Sequence, residues 1–189
     1  DYRLQLLTQI ARTLGLQGRF DEAHLLLDEV ESSLDAPPSV ARVRYLLERG
    51  RALRSSGKSA QATPLFEEAF AVGRRIGADY HAVDAAHMVA LAVDSTEARR
   101  HWSLLGIEIA ATSAQPRARH WLGSIQNNLG WDYHESGDYE LALKMFQQAL
   151  AARVEEEDEE AIGIARWCVA RCYRSLDRID EALTIQLGL

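Results

Sequence analysis

The sequence predicts an all-α fold, a right-handed α-solenoid of about five antiparallel helix pairs. Alanine, leucine, arginine and glutamate, which favour helix, are the commonest of the 189 residues, and only four residues are proline. A short turn pattern recurs five times along the chain. Apolar residues at helical spacing precede each copy of that turn. Together these observations indicate a chain built from repeated helical units without a β-sheet.

The recurring turn consists of a turn residue, a small or aromatic residue, an acid and then an alanine. The clearest copies are residues 18–23 (Gly-Arg-Phe-Asp-Glu-Ala) and 137–142 (Gly-Asp-Tyr-Glu-Leu-Ala). Weaker copies are residues 57–62, 93–98 and 177–182, and the closing alanines are 39, 36, 44 and 40 residues apart. A glycine at the start of the turn suits a left-handed helix end. We also expect Asp21, Asp138 and Asp180 to cap the helices that follow.

Each helix pair is predicted from an apolar stripe on either side of its turn. The expected pairs cover about residues 3–34, 38–76, 79–113, 116–154 and 158–189. The first helices carry the stripes Leu7-Ile10-Ala11-Leu14, Leu46-Gly50-Leu53, Ala82-Ala85-Ala86-Val89, Leu129-Gly130-Tyr133 and Val169-Ala170-Tyr173. The second helices carry stripes such as Ala23-Leu27-Val30 and Ala142-Phe146-Ala149. A small residue on each helix of a pair allows the two helices to pack closely.

These residues resemble the tetratricopeptide repeat family. The best copy runs from Asn127 to Ala149 and includes Leu129-Gly130-Trp131, the turn Gly137-Asp138-Tyr139, and Ala142. The spacing exceeds the usual 34 residues, so the repeats are more similar to those of kinesin light chains and bacterial peptide-responsive regulators. The resemblance implies one solenoid domain over residues 1–189, because each pair buries its apolar face only against its neighbours.

The resemblance also implies a binding surface, because in this family the first helices line a concave groove. One stripe of those helices is therefore expected to contact a partner. Its members are Arg12, Arg44, Arg51, Arg54, His87, Asn127, Trp131, His134, Trp167, Arg171 and Arg174. Six of them are arginine and none is acidic, although the net charge of the chain is −7. Since arginine binds carboxylates and phosphates with two parallel hydrogen bonds, one hypothesis is an acidic, carboxylate-ended or phosphorylated ligand.

Two other interpretations of the same stripe stay open. An arginine-rich chain carries arginine on any helix surface, and Trp131 and Trp167 can simply pack between repeats. The carboxylate clamp of the family needs an asparagine where this chain has Arg12, Arg51, His87, Trp131 or Arg171, so a chaperone-tail clamp is not expected. Asn127 and Asn128 are expected instead to hydrogen-bond a peptide backbone, as asparagines do in similar peptide-sensing proteins.

Motifs that would indicate an enzyme have a simpler explanation in this sequence. Residues 52–59 (Ala-Leu-Arg-Ser-Ser-Gly-Lys-Ser) partly match a phosphate-binding loop, but they follow a predicted helix and coincide with a repeat turn. Cys168 and Cys172 lie one helical turn apart, which suits small buried thiols as well as it suits two metal ligands. The acidic run 155–160 is expected to be a solvated turn. We therefore expect no enzyme, no metal and no cofactor.

The functional prediction is a module that binds another protein or a linear peptide. The alternative is the sensory domain of a bacterial peptide-responsive regulator. A net charge of −7 argues against nucleic-acid binding, and no apolar run approaches the roughly 20 residues that span a bilayer. The arginine excess suggests a bacterial genome, and two cysteines suit a reducing cytoplasm. Because the sequence stops at Leu189 inside a predicted helix, we expect either further repeats or a covering molecule, such as a second copy.

Overall fold

The computed structural model describes residues 1–35 and 37–188, and in that part of the chain it contains eleven helices and no strand. The helices are α1 (Tyr2–Leu16), α2 (Phe20–Ser32), α3 (Val40–Ser55), α4 (Ser59–Arg75), α5 (Asp79–Ala92), α6 (Thr96–Thr112), α7 (Pro116–Arg119), α8 (Trp121–Glu135), α9 (Tyr139–Glu155), α10 (Glu159–Ser175) and α11 (Ile179–Gln186). The all-α prediction is confirmed. None of these helices is long and apolar enough to cross a membrane.

The ten longer helices follow one another in the order of the five predicted pairs, and the helices of the first, second, fourth and fifth pairs contact each other. The fourth pair differs in one respect, because its first helix is preceded by the separate single turn α7. Pro116 occupies the first position of α7, where its missing N–H costs nothing. Residues 52–59 span the end of α3, a turn and the start of α4. They form the expected connection between two helices, whereas a phosphate-binding loop follows a β-strand.

The turns within the pairs have the left-handed conformation that their glycines predict. Gly18, Gly57 and Gly137 have φ values of 74°, 83° and 83°. The residue after each glycine donates its N–H to a carbonyl five positions earlier, for example Lys58 to Leu53 at 2.9 Å, which completes the helix end. In the fifth pair Asp177 adopts the same conformation at φ 59° without being glycine.

The expected helix caps are only partly correct. Asp138 occupies the N-cap of α9, but its side chain makes no capping hydrogen bond. The N-caps of α2 and α11 are Arg19 and Arg178, so Asp21 and Asp180 lie in the first turn instead. A carboxylate in the first turn still interacts favourably with the positive end of the helix dipole.

Close packing within the pairs depends on glycine at one position of the first helix. In the second pair the Phe66 ring of α4 lies directly against Gly50 of α3, where a Cβ would overlap it. In the fourth pair a Cβ on Gly130 would lie 2.6 Å from Cε1 of Phe146. The turn alanines Ala23, Ala62 and Ala142 are fully buried. The predicted close packing at small residues is therefore confirmed for the second and fourth pairs.

The chain consists of two compact units, Asp1–Ile109 (unit 1) and Ala110–Leu189 (unit 2). The core of unit 1 is apolar and includes Leu27, Leu47 and Phe66. The core of unit 2 includes Phe146 together with both cysteines, which are free thiols. Burial raises the pKa of Cys172 to about 11, so this thiol stays protonated at neutral pH. A single domain over residues 1–189 stays a prediction.

Candidate functional site

In unit 1 the first helices of the pairs are α1, α3 and α5, and we call the face that they share the first-helix face. A row of alternating charges crosses this face. Arg12 Nη1 lies 3.4 Å from Glu48 Oε2, and Arg51 Nη1 donates to Glu48 Oε1 at 2.6 Å. The second terminal nitrogen of Arg51 donates to Asp84 Oδ1. We call Arg12, Glu48, Arg51 and Asp84 the charge ladder. It joins each of these repeats to the next.

Burial makes the charge ladder electrostatically strong. Glu48 and Asp84 are only 7% and 6% exposed. Desolvation raises the pKa of Glu48, against the opposing effect of Arg51 and Arg12. Desolvation also lowers the pKa of Arg51, but Asp84 and Glu48 raise it by more, so its net shift is upward. The guanidinium of Arg51 is thus fully engaged inside the protein.

The other predicted site residues of unit 1 lie around the charge ladder. Arg44 Nε donates to Thr8 Oγ1 at 3.2 Å, and Arg54 Nε donates to the carbonyl oxygen of Leu91 at 3.2 Å. Neither arginine has an acidic partner among residues 1–35 and 37–188. Burial, with Arg51 and Arg54 nearby, lowers the pKa of His87 although Asp84 opposes that shift. A cavity of about 210 Å³ between α1 and α3 is lined by Arg12, Arg51 and Arg54.

The first-helix face of unit 2 has an aromatic composition instead. The guanidinium carbon of Arg171 lies 5.7 Å from the ring centre of Trp131 and 5.8 Å from that of Trp167. The two indole rings are 6.1 Å apart. We call Trp131, Trp167 and Arg171 the indole–guanidinium stack. Trp167 is 42% exposed, whereas Trp131 is partly buried and contacts Phe146 of the core at 5.3 Å.

Arg171 has no acidic partner in the part of unit 2 that the structure describes. Its Nε is buried and lacks a hydrogen-bond partner within the described residues. His134 lies beside the stack, 5.4 Å from the Trp131 ring, and its Nε2 is 2.8 Å from Ser175 Oγ. Burial lowers the pKa of His134, and the charge of Arg171 lowers it further. Arg174, one turn further along α10, is exposed.

A cavity of about 170 Å³ lies between α8 and α10 in the same unit. Its polar lining includes Ser124, Asn127, Asn128 and Arg153. Asn127 Oδ1 lies 3.4 Å from the Cys168 thiol, which donates to it. Arg153 comes from the end of α9 and reaches the cavity by crossing Gly123 of α8. We call this space the α8–α10 cavity.

The structure distributes the predicted stripe over the two units. Arg12, Arg44, Arg51, Arg54 and His87 lie on unit 1, and Asn127, Trp131, His134, Trp167, Arg171 and Arg174 lie on unit 2. The predicted stripe did not include Glu48 and Asp84, although each directly follows one position of that stripe in its helix. It also missed Arg153, which belongs to a second helix. Recording acids beside each stripe position would have revealed the first two.

The described residues hold no group of three or more histidine, cysteine or acidic side chains that could bind a metal ion. Cys168 and Cys172 are buried in the core of unit 2, as the interpretation of small buried thiols expects. Glu156 of the acidic run is partly buried and contacts Arg153 at 2.8 Å, so the run is not entirely solvated. The expected solvated turn is therefore correct only in part.

Comparisons with known proteins agree with this architecture. Residues 110–155 match the model of the tetratricopeptide repeat family. No curated protein sequence matches the chain. Among solved structures, a putative kinesin light chain with nearly identical TPR-like repeats from Podosopora anserina is 20% identical, with 97% of this chain and 92% of that chain covered and a TM-score of 0.73.

Two further structures extend the similarity. BtubC (BKLC) from P. vanneervenii is 16% identical, with 97% of this chain and 78% of that chain covered and a TM-score of 0.79. A signal transduction ATPase with numerous domains from Pyrococcus horikoshii, which has a tetratricopeptide repeat sensor, is 17% identical, with 96% and 28% covered and a TM-score of 0.78. The chain therefore has the tetratricopeptide-like helical fold that its sequence pattern predicts.

Proposed function

Because a tetratricopeptide-like fold is a scaffold for protein–protein interaction, we propose that this chain binds an acidic segment of another protein. The first-helix face of unit 2 is the surface that we assign to that segment. The indole–guanidinium stack binds a carboxylate or phosphate of the partner there. Catalysis and nucleic-acid binding form no part of the proposal, and the free buried thiols suit a cytoplasmic protein.

The proposal rests chiefly on the contacts that the Arg171 side chain makes and on the acidic partner that it lacks in the described residues. Its guanidinium lies against two indole rings within 5.8 Å, and no acid of the described residues neutralises it. A guanidinium that is already oriented and partly desolvated loses little entropy when it binds an anion. The exposed part of Trp167 and the partly buried Trp131 supply apolar contact beside that charge. Tryptophan and arginine are also the residues that most often dominate binding energy.

Unit 1 contributes less to ligand binding under this proposal. The charge ladder already neutralises Arg51, so that side chain is structural rather than available to a ligand. Arg44 and Arg54 have no acidic partner in the described residues and remain able to attract an anionic segment. Exposed charges of this kind mainly accelerate association, and salt screens their effect.

A sensory domain of a larger regulator is the second candidate function. The observation that favours it is the similarity of fold to the Pyrococcus horikoshii protein, which has a tetratricopeptide repeat sensor. In that case the same face would bind a signal peptide. Sequencing the complete gene distinguishes the two, because an adjoining effector domain supports a sensor and its absence supports a docking module. Self-association through α11, where Ile179 and Leu183 are exposed, stays a prediction.

The proposal can be tested with two matched sets of short fluorescein-labelled peptides, one with glutamate at alternate positions and one with serine. We expect the glutamate set to bind more tightly in fluorescence polarisation and to weaken as salt is added. Arg171→Met should reduce that affinity about tenfold or more, as expected for losing a charge-assisted hydrogen bond. Arg166→Met, an exposed arginine of the same helix, is the control. Equal binding of both sets, or equal loss in both variants, contradicts the proposal.

A further inference from the structure

The α8–α10 cavity is built around an unusual path of one side chain. Arg153 leaves the last turn of α9 and crosses α8 at Gly123, where a Cβ would lie 2.5 Å from Arg153 Nε. Its Nη2 then donates to Ser124 Oγ at 2.7 Å, and its Nη1 donates to Glu156 Oε2 at 2.8 Å. Only a residue without a side chain at position 123 permits this route. The guanidinium is therefore held in place from both sides.

The polar lining of the cavity offers several hydrogen-bond donors, and the Asn128 amide adds both a donor and an acceptor. Ser124 Oγ already accepts from Arg153, which leaves its own O–H to donate. Asn127 Oδ1 accepts from the Cys168 thiol, which leaves its NH2 group to donate. Each terminal nitrogen of Arg153 has a second N–H beyond the one that it donates to Ser124 or Glu156. A complementary ligand must therefore present an oxygen acceptor.

The charge near the cavity favours an uncharged acceptor over a carboxylate. Glu156 compensates Arg153 directly, and it is also 3.2 Å from Nδ1 of His120. Glu156 belongs to a run of six consecutive acids at residues 155–160, just before the lining residue Ala161. A second carboxylate would meet this negative field at a site whose positive charge is already paired. A carbonyl oxygen avoids that repulsion.

The size and the remaining walls of the cavity match a short polar side chain. Its volume is about 170 Å³, and a cavity of about 150 Å³ is known to hold a benzene molecule. Ala149, Ala161, Ile164 and Ala165 supply apolar contact for methylene groups. An amide group on a short aliphatic stem satisfies both the apolar walls and the donors.

We propose that the α8–α10 cavity binds the carboxamide side chain of a glutamine or asparagine in the partner segment. This inference rests on the proposed function, because it assumes that a partner segment lies along the same face. Asn127 and Trp131 are four residues apart on α8, a rise of about 6 Å. An extended chain covers that distance in about two residues. The partner therefore carries its glutamine or asparagine about two residues from the acid that Arg171 binds.

Nuclear magnetic resonance of the intact chain tests this with blocked single residues of similar length. The probes are the N-acetyl, N-methylamide derivatives of glutamine, glutamate, lysine and norleucine, and free glutamine is added to test for a small-molecule ligand. We expect the blocked glutamine to shift the side-chain amide signals of Asn127 and Asn128 and the Nε–H signal of Arg153. Its affinity should exceed that of blocked glutamate about fivefold at these signals, the factor that one net hydrogen bond provides.

The indole Nε1–H signals of Trp131 and Trp167 separate this inference from the proposed function. Blocked glutamate should shift those indole signals, whatever happens at the cavity. If it does so while blocked glutamine leaves the Asn127 and Asn128 signals unmoved, the carboxamide assignment is wrong and the acidic site survives. If free glutamine binds more tightly than the blocked form, the cavity serves a free small molecule, and the partner assignment is overturned.

Two variants and one control variant complete the test. Gly123→Ala should displace Arg153 and abolish the glutamine-induced shifts while retaining the glutamate-induced indole shifts. Gly163→Ala is the matched control, because a Cβ on that helical glycine of α10 meets nothing within 4 Å. Asn127→Leu keeps a similar size but removes the donor, so it should also abolish glutamine binding. Unchanged glutamine shifts in both Gly123→Ala and Asn127→Leu overturn the proposal.

Discussion

The two units place different neighbours around an arginine at the same helix position. Arg51 of unit 1 and Arg171 of unit 2 occupy equivalent places, each directly after the small residue of its first helix. Arg51 is enclosed by Glu48 and Asp84, which belong to its own helix and to the first helix of the next repeat. Arg171 lies instead against Trp131 and Trp167 and has no acidic neighbour in the described residues.

This difference shows that the neighbour of an arginine, not its place in the repeat, decides its role. In unit 1 an acid lies three positions before the residue equivalent to Arg171. Glu48 lies three positions before Arg51, and Asp84 lies three positions before His87. At the corresponding positions unit 2 has Asn128 and Cys168, neither of which carries a negative charge at neutral pH. The first arrangement neutralises an arginine inside the protein, whereas the second leaves an arginine that no acid of the described residues pairs.

The largest expected effect is on the stability of unit 1. Arg51→Met leaves Glu48 and Asp84 buried without their shared cation, which should cost about 3–5 kcal/mol in the free energy of unfolding. Urea denaturation followed by circular dichroism measures this. Arg171→Met removes only cation–π contacts and should cost no more than about 2 kcal/mol. Similar losses in the two variants would erase the distinction between the units.

A neutral triple variant sharpens the same comparison. Adding Glu48→Gln and Asp84→Asn to Arg51→Met removes both buried carboxylates, of which Glu48 keeps only the longer contact with Arg12. We expect this to recover part of the lost stability, because uncharged groups are less costly to bury than unpaired carboxylates. A triple variant less stable than Arg51→Met alone would contradict the electrostatic explanation.

The next effect concerns binding at unit 2. Trp131→Ala should weaken binding of the glutamate peptides by about 2 kcal/mol or more, because it removes a desolvated anchor. Arg54→Ala in unit 1 should mainly slow association and reduce the dependence of binding on salt. Stopped-flow polarisation separates the two rates. A larger loss for Arg54→Ala than for Trp131→Ala would move the principal site to unit 1.

Glycine substitution tests a feature that the units share. Gly50→Ala and Gly130→Ala each place a methyl group against a buried phenylalanine ring, and each should cost about 1–3 kcal/mol. Gly163→Ala meets open space within 4 Å and should instead stabilise its helix by about 0.5–1 kcal/mol. Thermal melts of the three variants provide the comparison. A stabilised Gly130→Ala variant would show that the ring moves aside freely.

The smallest effect is the pH dependence of unit 2. The folded pKa of His134 is lowered from 6.5, first by burial and then by Arg171. The unfolded chain therefore takes up this proton more readily than the folded chain does. The contribution of the neutral His134 side chain to the stability of the folded protein is therefore present above pH 6.5. This contribution is lost as the pH falls below that value. Urea denaturation of His134→Gln across this range should show a shallower loss of stability than the parent protein.

Binding of an anion beside Arg171 should act on the same histidine. A bound carboxylate offsets the charge of Arg171, so the pKa of His134 should rise when the glutamate peptides are added. Nuclear magnetic resonance titration of the His134 ring measures the change, and the serine peptides serve as the control. An unchanged pKa would place the acidic group elsewhere on the protein.

The repeated turns and apolar stripes of the sequence predicted most of the fold, because helices and turns are determined by residues close together in the chain. The turn glycines and the small residues at Gly50 and Gly130 follow from backbone conformation and close packing, which a short stretch of sequence determines. The site was less predictable. The contact between Arg51 and Asp84 joins residues 33 positions apart, and the path of Arg153 across Gly123 depends on two different helices. Neither contact follows from the spacing of one helix.

The charge ladder has a consequence for how an array of this kind can change in length during evolution. Two of its ion pairs, Arg12–Glu48 and Arg51–Asp84, link an arginine of one repeat to an acid of the next, so Glu48 and Asp84 play equivalent parts in the ladder. Deleting the second repeat would bring Arg12 opposite Asp84, and duplicating it would bring Arg51 opposite a second Glu48. Neither event leaves a buried charge unmatched. A repeat with an uncharged residue at that position, like Asn128 or Cys168 of unit 2, would remove the acid that the preceding arginine meets across the repeat boundary, so duplication within unit 1 preserves the ladder better than exchange with unit 2.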